Sequence, residues 1–210
     1  MRPGWTNLTV RAGDTVVKRY LGADAPARHA AEVSALTRLP AAIPTPALLR
    51  TTTDTVATRH VGGVPGQDLV AGGHAEAVLH ACGVLLRRLR AVPVAAPGRV
   101  FVHGDFGPHN LLFDPSTFAV AAVVDWEWAH EGAPVEDLAW CEWIIRAHHP
   151  AAAGAIGALF DGYGARPPWP LRQAAAVAKC RAMAARPGVN TGRWQRHVAA
   201  TLGLPDLPLR

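Results

Sequence analysis

Short runs of alternating apolar and polar residues, broken by turn-forming residues, dominate the first part of the chain. Residues 8–20, LTVRAGDTVVKRY, predict two strands joined by a turn at Ala12-Gly13-Asp14, because glycine and aspartate favour turns. A helix is predicted over 26–39, where apolar residues recur at helical spacing and a proline lies near the start. Residues 47–51 and 55–61 predict a further strand pair.

The pattern changes after GGVPG at residues 62–66, a stretch typical of a linker. Residues 74–91 carry an amphipathic stripe and predict a helix. Further helices are predicted at 135–148, 151–163, 170–186 and 191–202, and apolar runs at 99–103 and 119–125 predict strands. We therefore expect an α+β protein in which a β-rich lobe is followed by a larger helical lobe.

The composition is that of a globular protein, since 50% of the 210 residues are hydrophobic and 18% are charged. No apolar run reaches the roughly 18–20 residues that a membrane helix needs. The N-terminal MRPGWTNLTV lacks the apolar core of a secretory signal. Cys82, Cys141 and Cys180 are too scattered for a disulfide framework or a zinc site. We expect a cytoplasmic protein with no membrane partner.

Charge is distributed unevenly. The formal net charge of +5 could indicate nucleic-acid binding. However, 8 of the 16 carboxylates lie between Arg99 and Pro150, where Arg99 and Arg146 are the only lysine or arginine residues. An acidic middle segment that also carries histidines favours a metal or a cationic substrate, and the arginines elsewhere are then solvated surface. We expect no nucleic-acid partner.

One polar stretch, VHGDFGPHNLLFD at residues 102–114, suggests catalytic chemistry. Asp105 is followed five positions later by Asn110, and Asp125 comes 15 positions after that, at the end of an apolar run. A loop between strands can place one carboxylate at a substrate hydroxyl, while an amide and a second carboxylate share a magnesium ion. Magnesium prefers such hard oxygen ligands, and phosphoryl transfer needs mainly positioning and charge neutralisation.

HGDFGPHN followed by VVDWE resembles the aminoglycoside phosphotransferase (APH) family, the small-molecule branch of the protein-kinase-like fold. The resemblance runs from about Asn7 to Tyr163. It implies that Asp105 is the catalytic base or orients the acceptor hydroxyl, and that Asn110 and Asp125 hold Mg²⁺ on the phosphates of ATP. It also implies that Lys18 contacts the phosphates and pairs with Glu32. Residues Arg59-His60-Val61 would form a hinge that meets adenine through backbone groups, and Asp137 would brace the catalytic loop.

The same resemblance implies a bilobal protein-kinase-like fold with a shortened N-lobe. We expect a β-rich N-lobe at 1–61, a hinge at 62–66 and a helical C-lobe at 67–210. The sequence departs from the family's pattern near its start, where a first strand and a GxGxxG loop are missing. Gly4, Thr6 and Asn7 would then form a shortened cover over the phosphates.

A small acceptor is favoured over a peptide. Only 11 residues separate Asp125 from Asp137, which leaves little room for an activation loop, and Gly107 stands where protein serine/threonine kinases carry a lysine. We therefore predict an ATP- and Mg²⁺-dependent phosphotransferase acting on a hydroxyl of a small molecule, as a monomer or homodimer. An aminoglycoside or other antibiotic is the family's namesake acceptor, and resistance to it would be the outcome. A polyamine would suit the acidic segment: Glu127, Glu131, Glu136 and Glu142.

Alternatives remain open at this stage. The chain could be a kinase for choline, an amino acid or a sugar, or a nucleotide-binding relative without activity, given its short N-lobe. It could also be a metal-dependent hydrolase with His103, Asp105 and His109 as ligands, although transition-metal sites usually need a further His or Cys in register.

Several residues around the motif have competing interpretations. His103 is expected to support the loop, and His109 lines the acceptor site or is variable surface. Glu127 faces the metal, the acceptor or solvent. Trp126, Trp128, Trp140 and Trp143 suggest an aromatic wall for a sugar, with Trp140 and Trp143 favoured as core. Cationic His148 and His149 are expected to cap a helix end.

Overall fold

The computed structural model describes residues 7–186 and 189–207. Its first unit is an antiparallel sheet in the order β1-β2-β4-β3. These strands are β1 Asn7–Ala12, β2 Thr15–Tyr20, β3 Leu48–Thr51 and β4 Thr55–Arg59. Gly13 adopts φ +59° at the tight turn between β1 and β2, a conformation that glycine takes without strain. Of the predicted cover residues, Gly4 and Thr6 lie outside the described residues.

Helix α1, Ala25–Arg38, follows the first hairpin and begins with proline in its first turn, where a missing N–H costs nothing. The chain then runs through an extended, proline-containing segment to β3. In this segment Ile43 is 2% exposed and packs into the same hydrophobic core as Ala35 of α1. Elements of the first lobe therefore share one core with the rest of the molecule.

The chain crosses to the second lobe through a segment that is more ordered than a linker. Val64–Pro65 forms a short strand, β5, which pairs with β7, Leu111–Phe113, and helix α2 follows at Gly66–Ala71. Gly63 has φ +144°, and a Cβ there would lie 2.9 Å from the Phe113 carbonyl oxygen. The crossing segment therefore lies directly against β7 of the second lobe. The division at 1–61, 62–66 and 67–210 stays a prediction.

The second lobe is mainly helical, as the apolar spacing predicted. Its longer helices are α3 Ala75–Leu89, α4 Glu136–His148, α5 Ile156–Tyr163, α6 Trp169–Ala184 and α7 Thr191–Leu202. Residues 150–155, predicted as the start of a helix, form a 3-10 helix that runs into α5. Within residues 7–186 and 189–207, no helix is both long and apolar enough to cross a membrane.

The strands around the polar motif belong to two small sheets. Strand β6, Val100–Val102, pairs with β9, His130–Gly132, while β7 pairs with β8, Val120–Val123. The two predicted runs at 99–103 and 119–125 are therefore strands of different sheets. The mixed content of helices and strands confirms the predicted α+β class.

Candidate active site

A cleft of about 1200 Å³ lies between the two lobes. All of the predicted site residues line it: Lys18, Glu32, Arg59, His60, Val61, Asp105, Asn110 and Asp125. Residues that are as much as 120 positions apart in the chain contact each other here. The fold thus brings these eight residues together at one cleft, and their roles stay predictions.

The loop after β6 is fixed by a buried carboxylate. Asp137, in the first turn of α4, accepts hydrogen bonds from the backbone N–H groups of His103 (2.6 Å) and Gly104 (2.9 Å). Gly104 adopts φ +81°, and a Cβ at this position would lie 2.2 Å from the carbonyl oxygen of Trp128. Burial raises the pKa of Asp137 although these bonds and His103 oppose the shift. The loop therefore depends on both the helix and the glycine.

His103 is a structural residue of this loop. Its side chain is fully buried, and Nε2 lies 3.0 Å from the Val124 carbonyl oxygen. Nδ1 accepts a hydrogen bond from the Asp105 backbone N–H at 3.2 Å. Because both ring nitrogens are engaged, His103 cannot also ligate a metal. The hydrolase hypothesis, which needed His103 as a ligand with Asp105 and His109, is wrong.

Asp105 is held from several sides. The indole N–H of Trp140 donates to Oδ1 at 2.8 Å, and His109 Nε2 lies 3.5 Å from Oδ2. The Asn110 amide donates to the Asp105 backbone carbonyl at 2.9 Å. Burial opposes ionisation of Asp105, but His109, Trp140 and Lys179 outweigh it and hold its pKa below the usual range of an aspartate. The carboxylate is thus ionised, oriented and able to accept a hydrogen bond at neutral pH.

Asn110 and Asp125 come together because their strand ends are tied. The Val124 N–H donates to the Asn110 carbonyl at 2.9 Å, just before Asp125. Asp125 adopts a left-handed conformation at φ +68°, which among the described non-glycine residues is shared only by Phe118. Aspartate tolerates this conformation, and such residues concentrate at functional sites. The turn directs the carboxylate of Asp125 to the cleft, where its side chain is 38% exposed.

Lys18 stands among three carboxylates. Its Nζ lies 2.7 Å from Glu32 Oε2 and 3.2 Å from Glu127 Oε2, and it also bonds Asp125. Burial would lower the pKa of Lys18, but Asp125 and Glu32 outweigh it and raise the pKa above its ordinary value. The lysine is therefore a permanent cation at the cleft, paired with Glu32 as expected from the resemblance.

Tyr20 and Arg28 join this cluster, and sequence reasoning missed both. The Tyr20 hydroxyl donates to Glu32, whose pKa is raised by burial. Arg28, which is 1% exposed, donates to Glu127 at 2.9 Å and to Asn7 at 2.8 Å. Glu127 is thus neutralised by buried cations, and neither the acceptor nor solvent is its partner.

The carboxylates suit a magnesium ion. Oxygen atoms of Glu32, Asp125 and Glu127 lie within 4.8 Å of one another, in a cleft that also holds Asn110. Carboxylate and amide oxygens are the hard ligands that Mg²⁺ prefers. Lys18 bonds all three carboxylates, but Glu32 and Glu127 are buried, whereas the side chain of Asp125 is 38% exposed in the cleft. Asp125, with Asn110, is therefore the carboxylate best placed to hold the ion.

The predicted hinge residues line the cleft, but their backbone donors are partly used. The Arg59 N–H donates to the Ala47 carbonyl at 2.9 Å, and the His60 N–H donates to the Asp14 carbonyl at 2.7 Å. Two of the three backbone N–H groups are therefore engaged within the first lobe, and the N–H of Val61 stays the predicted donor to adenine. If all three residues contacted adenine through their backbone, Arg59 and His60 would have to use their carbonyl groups.

The glutamates expected to attract a polyamine are engaged elsewhere. Glu131 accepts two backbone hydrogen bonds, at 3.0 Å, from Ala95 and Ala96, and Glu136 bonds His130 at 3.0 Å. Glu142 is buried and pairs with Arg146 and Arg172. Of the four glutamates only Glu127 lines the cleft, and it is neutralised there. This expectation from charge content was wrong because each carboxylate has an internal partner.

The tryptophans are divided between core and cleft. Trp140 and Trp143 stack at 4.4 Å and are buried, as favoured, but the indole of Trp140 also reaches Asp105. Trp126 and Trp128 both line the cleft, and Trp126 is also a fully buried core residue. The expected helix-capping cations are not supported, since burial lowers the pKa values of His148 and His149.

The fold and the cleft are those of a two-lobed, protein-kinase-like architecture. Solved structures of other proteins share this architecture. The GDP complex of aminoglycoside 2'-phosphotransferase-IIIa aligns with a TM-score of 0.73 at 12% identity, over 96% of this chain and 90% of that chain. Aminoglycoside phosphotransferase APH(4)-Ia gives 0.72 at 15% identity, over 98% and 93%. A choline/ethanolamine kinase family protein from Mesorhizobium loti gives 0.66 at 17%, over 97% and 87%.

Residues 90–176, which contain Asp105, Asn110, Asp125 and Asp137, match the phosphotransferase enzyme family, APH. A shorter stretch of 51 residues is 41% identical to acyl-CoA dehydrogenase family member 11 of Rattus norvegicus, covering 24% of this chain and 6% of the rat protein. The part of the chain that carries the motif thus matches the phosphotransferase enzyme family that the motif predicted.

Proposed function

We propose that the protein transfers the γ-phosphate of ATP to a hydroxyl group of a small molecule. The observation that carries this proposal is the convergence of an oriented, ionised Asp105 with Asn110, Asp125 and the Lys18–Glu32 pair in one cleft. ADP and GDP appear in the names of solved relatives, which supports a nucleotide as the donor. Aminoglycosides, named with several of those relatives, are one candidate acceptor class.

In this proposal each residue has a separate task. Asp105 accepts a hydrogen bond from the acceptor hydroxyl and aligns its oxygen for attack on the phosphorus. Its lowered pKa makes it a weak base, so it orients the hydroxyl and receives the proton only as the new bond forms. Lys18, held by Glu32, offers a fixed positive charge to the phosphates.

Asp125 and Asn110 would hold the magnesium ion. When bound, the ion neutralises charge on the phosphate oxygens, which is the chief electrostatic requirement of phosphoryl transfer. Lys18 already bonds Asp125, so the protein keeps its acidic cluster compensated by its own cations. The arrangement keeps the acceptor hydroxyl, the lysine and the metal ligands within one enclosed space.

The test is Mg²⁺-dependent ATP consumption with a panel of hydroxylated small molecules, comparing the wild type with Asp105→Ala and Asp105→Asn. We expect turnover to fall by about 100-fold or more in both variants, because the oriented carboxylate is lost. Stabilisation by Mg-ATP in a thermal melt should remain, since Lys18 and Asp125 are untouched. Asp114→Ala is the matched control, because the carboxylate of Asp114 accepts hydrogen bonds from Ser116 and Thr117 in an exposed turn away from the cleft.

Two results would contradict the proposal. Equal turnover in wild type and Asp105→Ala would show that Asp105 has no part in the reaction. Stabilisation by Mg-ATP without turnover on any acceptor would instead favour the alternative of a nucleotide-binding protein without activity.

A further inference from the structure

The side of the cleft that faces Asp105 from the C-terminal helices is basic and aromatic. It is formed by residues from the ends of α4, α6 and α7 and from the turn at 126–128: Trp128, His148, Arg186, Asn190, Arg193 and Trp194. We call this set the cationic wall. The predicted nucleotide contacts, by contrast, come from β2, α1 and the hinge. The cationic wall therefore borders the space left for the acceptor.

Arg186 is the central cation of the cationic wall. Its guanidinium carbon lies 3.6 Å from the centroid of the Trp128 ring, while Arg28 lies 5.7 Å from that centroid. Within residues 7–186 and 189–207, neither Arg186 nor Arg193 forms a salt bridge with a carboxylate. A guanidinium stacked on an aromatic face keeps its N–H edge available for a carboxylate or phosphate. Arg186 is thus preoriented to bind an anion.

Negative charge that could bind a cationic acceptor is scarce on the same side. The carboxylates at the cleft are Asp24, Glu32, Asp105, Asp125 and Glu127. Asp24 and Glu127 pair with Arg28, and Glu32 and Asp125 pair with Lys18. Only Asp105 remains for the acceptor, and its predicted partner is the reacting hydroxyl. A polycation would meet arginines at the cationic wall instead of carboxylates.

We infer that the acceptor is a hydroxylated small molecule that also carries an anionic group, a carboxylate or a phosphate, bound by Arg186 with Trp128 beside it. This inference rests on the proposed kinase function and narrows its substrate class. Arg193 adds a second positive charge at the rim of the cleft, where it is exposed. Arg186 is a specificity-determining residue in this view, whereas Asp105 remains the catalytic one.

The test uses matched acceptors that differ in charge: gluconate against glucose, glycerate against glycerol, and kanamycin as a polycation. We expect Asp105-dependent ATP consumption with the anionic members. In Arg186→Gln the KM for the anionic acceptor should rise about tenfold or more, because the charge-assisted hydrogen bonds are lost. The KM for ATP should change less than about twofold. Arg181→Gln, which changes an exposed arginine in the last turn of α6, is the control and should change neither KM.

The outcomes separate this inference from the proposed function. Asp105-dependent turnover of kanamycin or of the neutral members, unaffected by Arg186→Gln, would overturn the inference and leave the kinase standing. A rise in the KM for ATP alone would place Arg186 at the nucleotide and would also overturn it.

If no acceptor turns over, binding decides the question. Tryptophan fluorescence is titrated with gluconate and with kanamycin in the presence of Mg²⁺ and a non-hydrolysable ATP analogue, because Trp128 lies against Arg186. Gluconate binding that Arg186→Gln abolishes supports the anion site without the kinase reaction. Binding of kanamycin alone, or of neither probe, overturns the inference.

Discussion

At the scale of single residues, the state of Asp105 determines what chemistry is open to it. Trp140 donates to one carboxylate oxygen, while His109 and Asn110 approach the other at 3.5 Å. A lowered pKa in the folded state means that folding stabilises the ionised form of Asp105 relative to its protonated form. Stability from this group is therefore present above the ordinary aspartate pKa and is lost only as the pH falls through the lowered folded value.

The indole N–H of Trp140 makes this state testable. We expect Trp140→Phe to reduce kcat about tenfold, since Asp105 loses one of its fixing hydrogen bonds. The variant should also develop an acid limb in its pH–rate profile at higher pH than the wild type, because the pKa of Asp105 rises toward its ordinary value. In the wild type, Asp105 should produce no acid limb above about pH 5.

Trp143→Phe provides the matched control for this substitution. Trp143 lies in the same stack, but its N–H donates to Thr201 at 2.8 Å. It should alter stability without moving the pH profile. An equal shift in both variants would mean that the aromatic stack, and not the hydrogen bond, sets the state of Asp105.

Sequence spacing reached only part of this site. The motif resemblance led to Lys18, Glu32, Asp105, Asn110 and Asp125, which all line the cleft. Trp140 and Arg28 escaped it because each bonds its partner across 35 and 99 positions, and no local pattern marks such pairs. The count of acidic residues wrongly predicted an acidic surface for a polyamine for the same reason, because composition does not show which glutamates have internal partners.

At the scale of elements, two helices of the second lobe approach each other through glycine. Gly83 of α3 and Gly162 of α5 each face the other helix's backbone, and a Cβ would lie 2.1 Å from the Leu159 carbonyl oxygen and 2.2 Å from that of His80. Glycine lowers helix propensity by about 1 kcal/mol relative to alanine. The close contact between helices offsets this loss, and α3 in turn carries core residues beneath the catalytic loop.

Two alanine substitutions in α5 should therefore have opposite effects. Gly162→Ala should lower the free energy of unfolding by about 1–3 kcal/mol, because the methyl group overlaps backbone that cannot move away. Gly157→Ala, where nothing lies within 4 Å of the added Cβ, should be neutral or stabilising by up to about 1 kcal/mol. Urea unfolding of both variants measures the difference. A stabilised Gly162→Ala protein would show that the helices are farther apart than described.

Apolar periodicity predicted the longer elements well and the shortest ones poorly. Helices such as α3 and α7 matched within a residue or two of the predicted limits. Strands β5, β7 and β9 have two or three residues each, which is too short for a period-two pattern to emerge. Helix α2 was missed because the glycine and proline that precede it indicated a linker.

At the scale of the whole molecule, buried charge connects the two lobes. Arg28 of α1 donates to Glu127 in the turn at 126–128, and Asn7 of β1 donates to the same carboxylate at 2.6 Å. A second connection joins the segment before β3 to β8, where the Val123 N–H donates to the Pro44 carbonyl at 2.8 Å. The protein's own groups therefore hold the two lobes together, and these contacts need no bound ligand.

Arg28→Gln should show how much this connection contributes. Without Arg28, Glu127 must share Lys18 with Glu32 and Asp125, so buried negative charge is under-compensated and the free energy of unfolding should fall by about 3–5 kcal/mol. Arg19→Gln is the control, because the Arg19–Asp54 pair is 59% and 45% exposed and should contribute at most about 1 kcal/mol. Equal, small losses in both variants in urea unfolding would contradict an electrostatic connection between the lobes.

The shared core also limits how the gene can be recombined. Ala35 and Ile43 belong to the same buried cluster as residues of α3 and Phe106 of the loop after β6, so the hydrophobic interior continues across the crossing at 62–66. If the chain were divided at 62–66, each fragment would expose apolar residues that the other fragment covers, and each would need the other to fold. A chimera that receives its first lobe from a relative must therefore also receive the second-lobe residues that this lobe covers.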